Sequence, residues 1–597
     1  MKQSYHPAWD LEVIFPGGSR SHEFRTYMDG IKVGLEDFYI LVDGYIPSEQ
    51  ETNQPQLGEV IEKYAKLKKQ FSEASAFISC LSAQDMQDEQ ANVLVAERSE
   101  LGATFSGGVT KLIEKCALID DQSWDNMMKQ SHLKAVSYVL SEARDEAKDK
   151  LPIDQEMLIN DLSVDGYQGW GQMYDVIVGN MNVAIKEDGE TNDYSVGQAA
   201  NKLNDPKRSV RKHVFEQLDK SWRGHGDLFG QTLNHLAGFR IQTYKHRGWD
   251  DILKEPLTIN RMKQTTLDVM WKAISDHKPA FISYINRKAE LLEIDKLSIY
   301  DIEAPLTSTE EKLSYTDGAN FIVNHFRKFS PKMADFAQMA FEKRWIEAED
   351  RDGKRPGGFC TSFPDSEQTR IFMTYSGTAS NIATLAHELG HAYHQHVMND
   401  MHALNQGYAM NVAETASTFA EMVVADASVQ NAKDKDEKIG LLEDKIQRSV
   451  AFFMNIHSRF IFEQRFYEER KDGMVPVTRL NELMVEAQKE AYCDSLSEYD
   501  PTFWSSKLHF HITGVPFYNF PYTFGYLFSL GIYAHAQEQG DSFEDDYIAL
   551  LRDTGRMNVE ELAARHLDVD LTQPDFWEHA IQLCIQDVEE FMSLTAE

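Results

Sequence analysis

Through most of the chain apolar residues recur at three- and four-residue intervals, the spacing that gathers them on one face of an α-helix. Residues 57–90 (LGEVIEKYAKLKKQFSEASAFISCLSAQDMQDEQ) hold the pattern over many turns, and 90–120 continue it. Segments 265–295, 317–345, 438–470 and 478–497 repeat it. Several open at Ser, Thr or Asp, whose side chains satisfy the free N–H groups of a first helical turn. Only 17 prolines interrupt the chain, so long helices are permitted. Strand-type alternation is scarce. Arg370–Tyr375 (RIFMTY) alternates and stops at Ser376-Gly377, and Gly358–Phe363 is placed to pair with it. The run KDKDEK at 433–438 reads as a solvated turn between helices, and no fixed-period repeat is present. The expectation is a mainly α fold with one small β-sheet.

The 597 residues suffice for roughly two to four structural units. A polar, loop-like stretch, ETNDYSVGQAANKLNDPKRS, sets a boundary near 195–210. It divides an N-terminal helical domain, 1–200, from a domain over 201–597 that carries every candidate for chemistry. Acidic residues outnumber basic ones, 95 to 60, for a formal charge of −35. Such a surface repels nucleic acid and anionic membrane alike, so neither is an expected partner. The opening MKQSYHPAWDLEVIFPGG lacks the apolar core of a signal peptide, and no apolar run is long enough to span a membrane. Five cysteines, Cys80, Cys116, Cys360, Cys493 and Cys584, are scattered and form no CxxC pair. That excludes a disulfide framework and a cysteine zinc site, and it suits a reducing cytoplasm. Cys360 lies near the candidate chemistry but reads as a packing residue.

The candidate chemistry centres on SGTASNIATLAHELGHAYHQH, 376–396, which opens with capping residues and predicts a helix over about 380–398. His387 and His391 are one turn apart and share a face, so their imidazoles can converge on one tetrahedral zinc ion. Glu388 borders that face and reaches a metal-bound water as a base rather than the metal itself. The bare motif also fits two histidines on an ordinary helix, so its context matters. One extended form of the motif needs Gly and His three and six residues after His391; His394 and Val397 stand there and exclude it. The other source of a third ligand is a following helix. Residues 411–428, NVAETASTFAEMVVADAS, place Glu414 and Glu421 on one face among small and apolar neighbours. Carboxylates in such company need a partner. Glu414 as ligand and Glu421 as partner of a metal-bound histidine satisfies both. His394 and His396 are read as packing residues.

Hydrolysis of an amide also needs donors facing the developing oxyanion. HFHITGVPFYNFPYTFGY, 509–526, offers His509, His511, Tyr518, Tyr522 and Tyr526 on a loop that Gly514, Pro516 and Pro521 keep from being helical before Tyr522. By themselves these residues equally describe a packed aromatic loop.

Taken together, HELGHAYH (387–394), ETASTFAE (414–421) and the 509–526 segment resemble the M3 metallopeptidases, and within them the oligoendopeptidase F group. WDLEVIFPGG (9–18) and YDIEAPL (300–306) add weaker matches in the same order. The resemblance implies a two-lobed helical body of the zincin type, gluzincin-like, with a deep channel for short unfolded peptides and the small sheet beside the active-site helix. It implies one Zn2+ on His387, His391 and Glu414, with Glu388 as catalytic base. Tyr518 and one histidine of the 509–511 pair would stabilise the tetrahedral intermediate. His509 is favoured, because family members usually carry Tyr at the place of His511. Tyr522 and Tyr526 would contact substrate, and GGFCTSFP (357–364), with Gly358, resembles the edge strand that pairs with substrate backbone. The expected activity is endopeptidase cleavage of oligopeptides by a monomer or small homo-oligomer. A dipeptidyl carboxypeptidase-type exopeptidase shares these motifs, and a non-catalytic peptide-binding helical protein is the remaining alternative.

Overall fold

The structure is a computed structural model, and it describes residues 4–47, 54–187, 189–307, 312–539 and 543–596. Helices dominate, and their ends fall where side chains can satisfy them. The long N-terminal pattern resolves into Gln54–Gln84 and Glu89–Ala117, the second capped by Asp88 accepting from Ala91 N. The helix expected over 317–345 is two helices, Tyr315–Phe329 and Pro331–Glu342. Ser330 ends the first and caps the second, and Pro331 sits in a first turn, where its missing N–H costs nothing. Gln264–Leu291 and Val477–Ala491 follow the pattern. Lys435–Val450 runs into Ile456–Arg470 through one wide π-type turn, Ala451–Asn455. The charged run at 433–438 is a turn only as far as Asp434, whose carboxylate caps the next helix through Glu437 N.

Two small sheets are present. The unexpected one is an antiparallel hairpin of β1 (Asn182–Glu187) and β2 (Glu190–Ser195). Its second strand, ETNDYS, is polar and largely exposed, so it carries no alternating apolar signal. The helix Val196–Asn201 follows at once, closed by a reciprocal cap between Ser195 and Gln198. The stretch read as loop-like is therefore largely strand and capped helix. The expected sheet has β3 (Ile346–Glu347), β4 (Phe359–Phe363) and β5 (Gln368–Phe372) in the order β3-β5-β4. Central β5 runs parallel to β3 and antiparallel to β4, with Cys360 opposite Ile371.

The buried apolar residues form two clusters. One draws on Trp9 to Leu140 together with Phe363, Phe372, Ala403 and Leu404. The larger takes Tyr5 and then Tyr174 through Phe591, including Ile371 and Met373. Strand alternation therefore sends Phe372 into one cluster and its neighbours into the other. Within the larger cluster Ala379–Met398 packs along Thr415–Gln430.

Candidate active site

Thr378 caps the helix Ala379–Met398, its hydroxyl accepting from Asn381 N. On that helix His387 and His391 turn the same edge toward Glu414, which stands at the break between the short helix Met410–Ala413 and Thr415–Gln430. Glu414 Oε2 is 3.3 Å from His387 Nε2 and 3.5 Å from His391 Nε2. The three donor atoms all lie within 4.8 Å of one another. Ligands held about 2.0–2.1 Å from a tetrahedral zinc ion stand about 3.3–3.4 Å apart. The spacing and the donor set, two imidazoles and a carboxylate, both fit one such ion.

Close helix packing brings these donors together. A Cβ on Gly390 would stand 2.4 Å from Ala416 O and 2.5 Å from Ser417 Cα, so the two backbones touch at the glycine of HELGH. Glu414 is held from other sides as well. Ser417 Oγ donates to its Oε2 at 2.7 Å, and Ser529 Oγ donates to its carbonyl at 3.1 Å. Gly525, on the helix Phe520–Gln539, lies where a Cβ would press the Glu414 side chain at 3.0 Å.

Behind His387, Glu421 Oε2 lies 3.2 Å from Nδ1, and Arg448 Nη1 pairs with the other oxygen of Glu421 at 2.7 Å. This carboxylate fixes the imidazole with Nε2 toward the donor cluster. Burial opposes charge on both histidines. It prevails at His391, lowering its pKa to about 4. At His387 it is overridden by the hydrogen bonds to Glu414 and Glu421, which raise the pKa to about 10. Burial likewise opposes ionisation of Glu414, yet His387 and His391 hold it down to about 2.

Glu388 is 8% exposed, and its Oε2 has no hydrogen-bond partner. Burial pushes its pKa up to about 7; the carboxylates of Glu414 and Glu421 add to the rise, while His387 opposes it. Gly358, just before β4, sits beside it: a Cβ there would be 3.7 Å from Glu388 Oε1 and 3.2 Å from Phe372 O. Cys360 on β4 is half-buried and close enough to Glu388 for that carboxylate to reinforce the rise that burial imposes on its thiol.

In the downstream loop, His509 has ring contacts with Tyr518 at 5.4 Å and Tyr522 at 6.1 Å, and the two tyrosines are 5.8 Å apart. Tyr522 is close enough to Glu414 to feel its charge, and its phenol is also raised, first of all, by burial. Two expected site residues lie elsewhere. His511 is 1% exposed and stacked on Tyr174 at 4.1 Å, because the 3-10 turn Leu508–Phe510 points it inward. Tyr526 is buried against Phe452, and its hydroxyl meets Ser449 Oγ at 2.9 Å. From the first turns of a helix that starts at Phe520, it faces the core rather than a peptide. Pro521 is tolerated in that first turn. His394 packs as expected, stacked on Tyr408 with Nε2 on Thr554 Oγ1.

Sequence reasoning passed over Gly390, Gly525 and Arg448. A glycine inside an otherwise strong helix is a visible sign of close backbone approach. Arg448, 27 residues beyond Glu421 on a charged helix, carries no such sign.

Two histidines one turn apart, a carboxylate from the next helix and an unpaired glutamate beside them are the parts that a metallopeptidase centre requires. A family model described as Peptidase family M3 matches residues 202–583, and one described as Oligopeptidase F matches 117–182. The chain belongs to peptidase family M3, and it is a metalloendopeptidase. It is 25% identical over 415 residues to the chromosomal oligoendopeptidase F of Lactococcus lactis subsp. cremoris, covering 68% of this chain and 67% of that one. With the oligopeptidase PepF of Bacillus subtilis it shares 23% over 498 residues, 81% of this chain and 72% of the relative. Among solved structures, a putative peptidase from Chlamydophila abortus superposes with a TM-score of 0.82 at 17% identity, covering 99% of both chains. Oligoendopeptidase-F from Enterococcus faecium gives 0.69 at 18%, covering 96% and 98%. The mainly α architecture is that of these peptidases.

Proposed function

We propose that this enzyme cleaves internal bonds of short oligopeptides, with one zinc ion on His387, His391 and Glu414 and with Glu388 as general base. The observation that carries the reading is Glu388 itself: a buried carboxylate oxygen without a partner, on the residue next to a donor cluster of zinc dimensions. When bound, the zinc ion supplies Lewis acidity that polarises the scissile carbonyl and acidifies the attacking water. Glu388 Oε2 accepts the proton that this water gives up and passes it to the leaving amine. Glu421, backed by Arg448, keeps His387 in the tautomer that leaves Nε2 free to ligate. Tyr518 and His509 donate to the oxyanion as the carbonyl becomes tetrahedral, and Tyr522 lines the same wall. The β4 edge beside Gly358 takes the peptide backbone by strand addition, since β4 pairs only with β5 among the described residues.

The N-terminal part over 1–200 and the remainder over 201–597 are read as the two units of the chain, with Tyr174 to Ala199 packing against the second. Short peptides are the partners, with a monomer or small homo-oligomer as the working state. Five free cysteines favour a reducing cytoplasm. Among the described residues no helix is long and apolar enough to cross a membrane.

The test follows cleavage of a quenched fluorescent peptide of about ten residues by wild type and Glu388→Gln, as purified, after chelation and after zinc add-back. The expected result is loss on chelation, return with zinc, and a drop of about 10²–10⁴ in the variant while it still holds metal. Glu388→Gln turnover within threefold of wild type, or activity untouched by chelation, would sink the mechanism. Mass spectrometry of the products separates internal from terminal cutting.

A further inference from the structure

We propose that Arg459 and Lys507 form an anion subsite beside the oxyanion loop, which takes a carboxylate of the bound peptide; this rests on the peptidase reading above. Both cations lie against one aromatic ring, that of Phe503, with Arg459 Cζ at 5.2 Å and Lys507 Nζ at 4.7 Å from its centroid. Both are half-buried, and neither forms an ion pair among the described residues. Arg459 uses Nε and Nη1 on neutral acceptors, Asn455 Oδ1 and Asn519 Oδ1, each at 2.9 Å.

In a chain with 95 acidic residues against 60 basic ones, two neighbouring cations that enter no ion pair, and feel only the field of Glu303 in common, are conspicuous. Like charges held together in a partly desolvated wall repel, and an anion from outside relieves the repulsion. Burial and then Arg459 lower the pKa of Lys507 to about 8. At His509, burial, Arg459 and Lys507 together lower it to about 4, with no carboxylate opposing them. Asp500 and Glu303 act on Lys507 in the opposite sense, more weakly than Arg459. One oxygen of Asp500 is already taken by Thr502 N at 2.8 Å and Thr502 Oγ1 at 2.9 Å.

The place matches a substrate role. Lys507 lines a cavity of about 240 Å³ with Phe503, Ser506, Asn455 and Tyr492, whose wall also carries Glu303, Asp500 and Asp219. Asp219 is paired with Arg223 at 2.7 Å. Arg459 holds Asn519, the residue after Tyr518, and His509 lies two residues after Lys507. Through Asn519 and His509 the pair adjoins the loop proposed to face the oxyanion, so a carboxylate bound here would come from a residue near the scissile bond. Two sources share that chemistry: the free C-terminus of a short peptide, and an Asp or Glu side chain near the cut.

The experiment measures kcat/KM of the zinc-loaded full chain on matched peptides of one cleavable sequence. One pair differs only in a C-terminal carboxylate or amide, and further pairs differ in Glu or Gln at each position flanking the cut. The expected result is a preference of roughly tenfold for the charged member of one pair, the scale of a hydrogen bond to a charged group, fading with added salt. In Lys507→Gln and Arg459→Gln, checked for fold by melting and for bound zinc, the ratio falls to within twofold of unity. Lys507→Arg restores it, and Lys507→Glu reverses its sign. The pair that responds identifies the source of the carboxylate. Wild-type ratios within twofold of unity in every pair overturn the subsite, and this arm needs no variant. If no peptide is cut at all, the peptidase reading falls and the subsite falls with it.

Discussion

Replacing Gly390 by alanine sets two physical effects against each other with opposite signs. Helix propensity alone makes Gly→Ala in a helix interior stabilising by about 0.5–1 kcal/mol. The structure says the reverse, because the new Cβ would stand 2.4 Å from Ala416 O and 2.5 Å from Ser417 Cα. These are backbone atoms that cannot swing aside, and an ordinary contact of about 3.4 Å or more requires the helices to part by about 1 Å. Overpacking of this kind costs about 1–3 kcal/mol. Glu414 begins the displaced helix, and its Oε2 is 3.3 and 3.5 Å from the two imidazole nitrogens. Opening those gaps by about 1 Å exceeds the edge of about 3.3–3.4 Å that a tetrahedral zinc site allows. Gly390→Ala should therefore lower the melting temperature and weaken zinc binding by about 10–100-fold, the range seen when support for a ligand is removed. Chelator competition followed by metal analysis reads the affinity, and calorimetry reads the stability. A variant that melts at or above wild type and keeps its zinc affinity within twofold would refute the packing argument outright.

Three further outcomes are expected. Tyr518→Phe and His509→Gln should each lower kcat by about 10²–10³ with little change in KM, as for loss of one oxyanion donor; steady-state kinetics decide it. His511→Phe and Tyr526→Phe should keep kcat within about threefold of wild type, because both side chains pack in the core; a large loss in either would return it to the active site. Burial would raise the pKa of Asp553, but His566 and Arg556 hold it down to about 2. Its contribution, about 2 kcal/mol, is complete above the unfolded value near 4 and is lost as pH falls through 2. Denaturant titrations of wild type and Asp553→Asn should therefore differ at neutral pH and converge near pH 2.

The donor set was legible because metal chemistry leaves a local trace: a spacing of four on the helix carrying His387 and His391, and acids among the apolar residues around Glu414. The helices were legible for the same reason, since periodicity over many turns survives at the level of sequence. The ends were less so. Ser330 and Pro331 split what periodicity alone joins, although both are recognisable end signals once the break is sought. β2 was missed because an exposed hairpin strand has no face to bury. His511 and Tyr526 were misplaced because a loop's residue types do not state which way each side chain points. That depends on a 3-10 turn and on Phe452 and Tyr174, far away in sequence. Arg448 and the Arg459–Lys507 pair depend wholly on tertiary placement.

Strand β5 bears on how the molecule can breathe. Phe372 of β5 and Phe363 of its neighbour β4 belong to one apolar cluster, while Ile371 of β5 and Met373 just past its end belong to the other, so the β4–β5 pair acts as a party wall. Neither compartment can come away with the wall intact. Stripping the N-terminal side would bare Phe363 and Phe372, at about 1.5–3 kcal/mol for each ring. A gene cut near residue 200 should therefore yield a sticky, poorly soluble product rather than a smaller enzyme. A rotation of one side on the other that kept both apolar clusters closed would have to pivot close to this wall. Glu388 lies beside Gly358 at the same wall, so the carboxylate proposed as the base would be among the groups least disturbed by such a rotation.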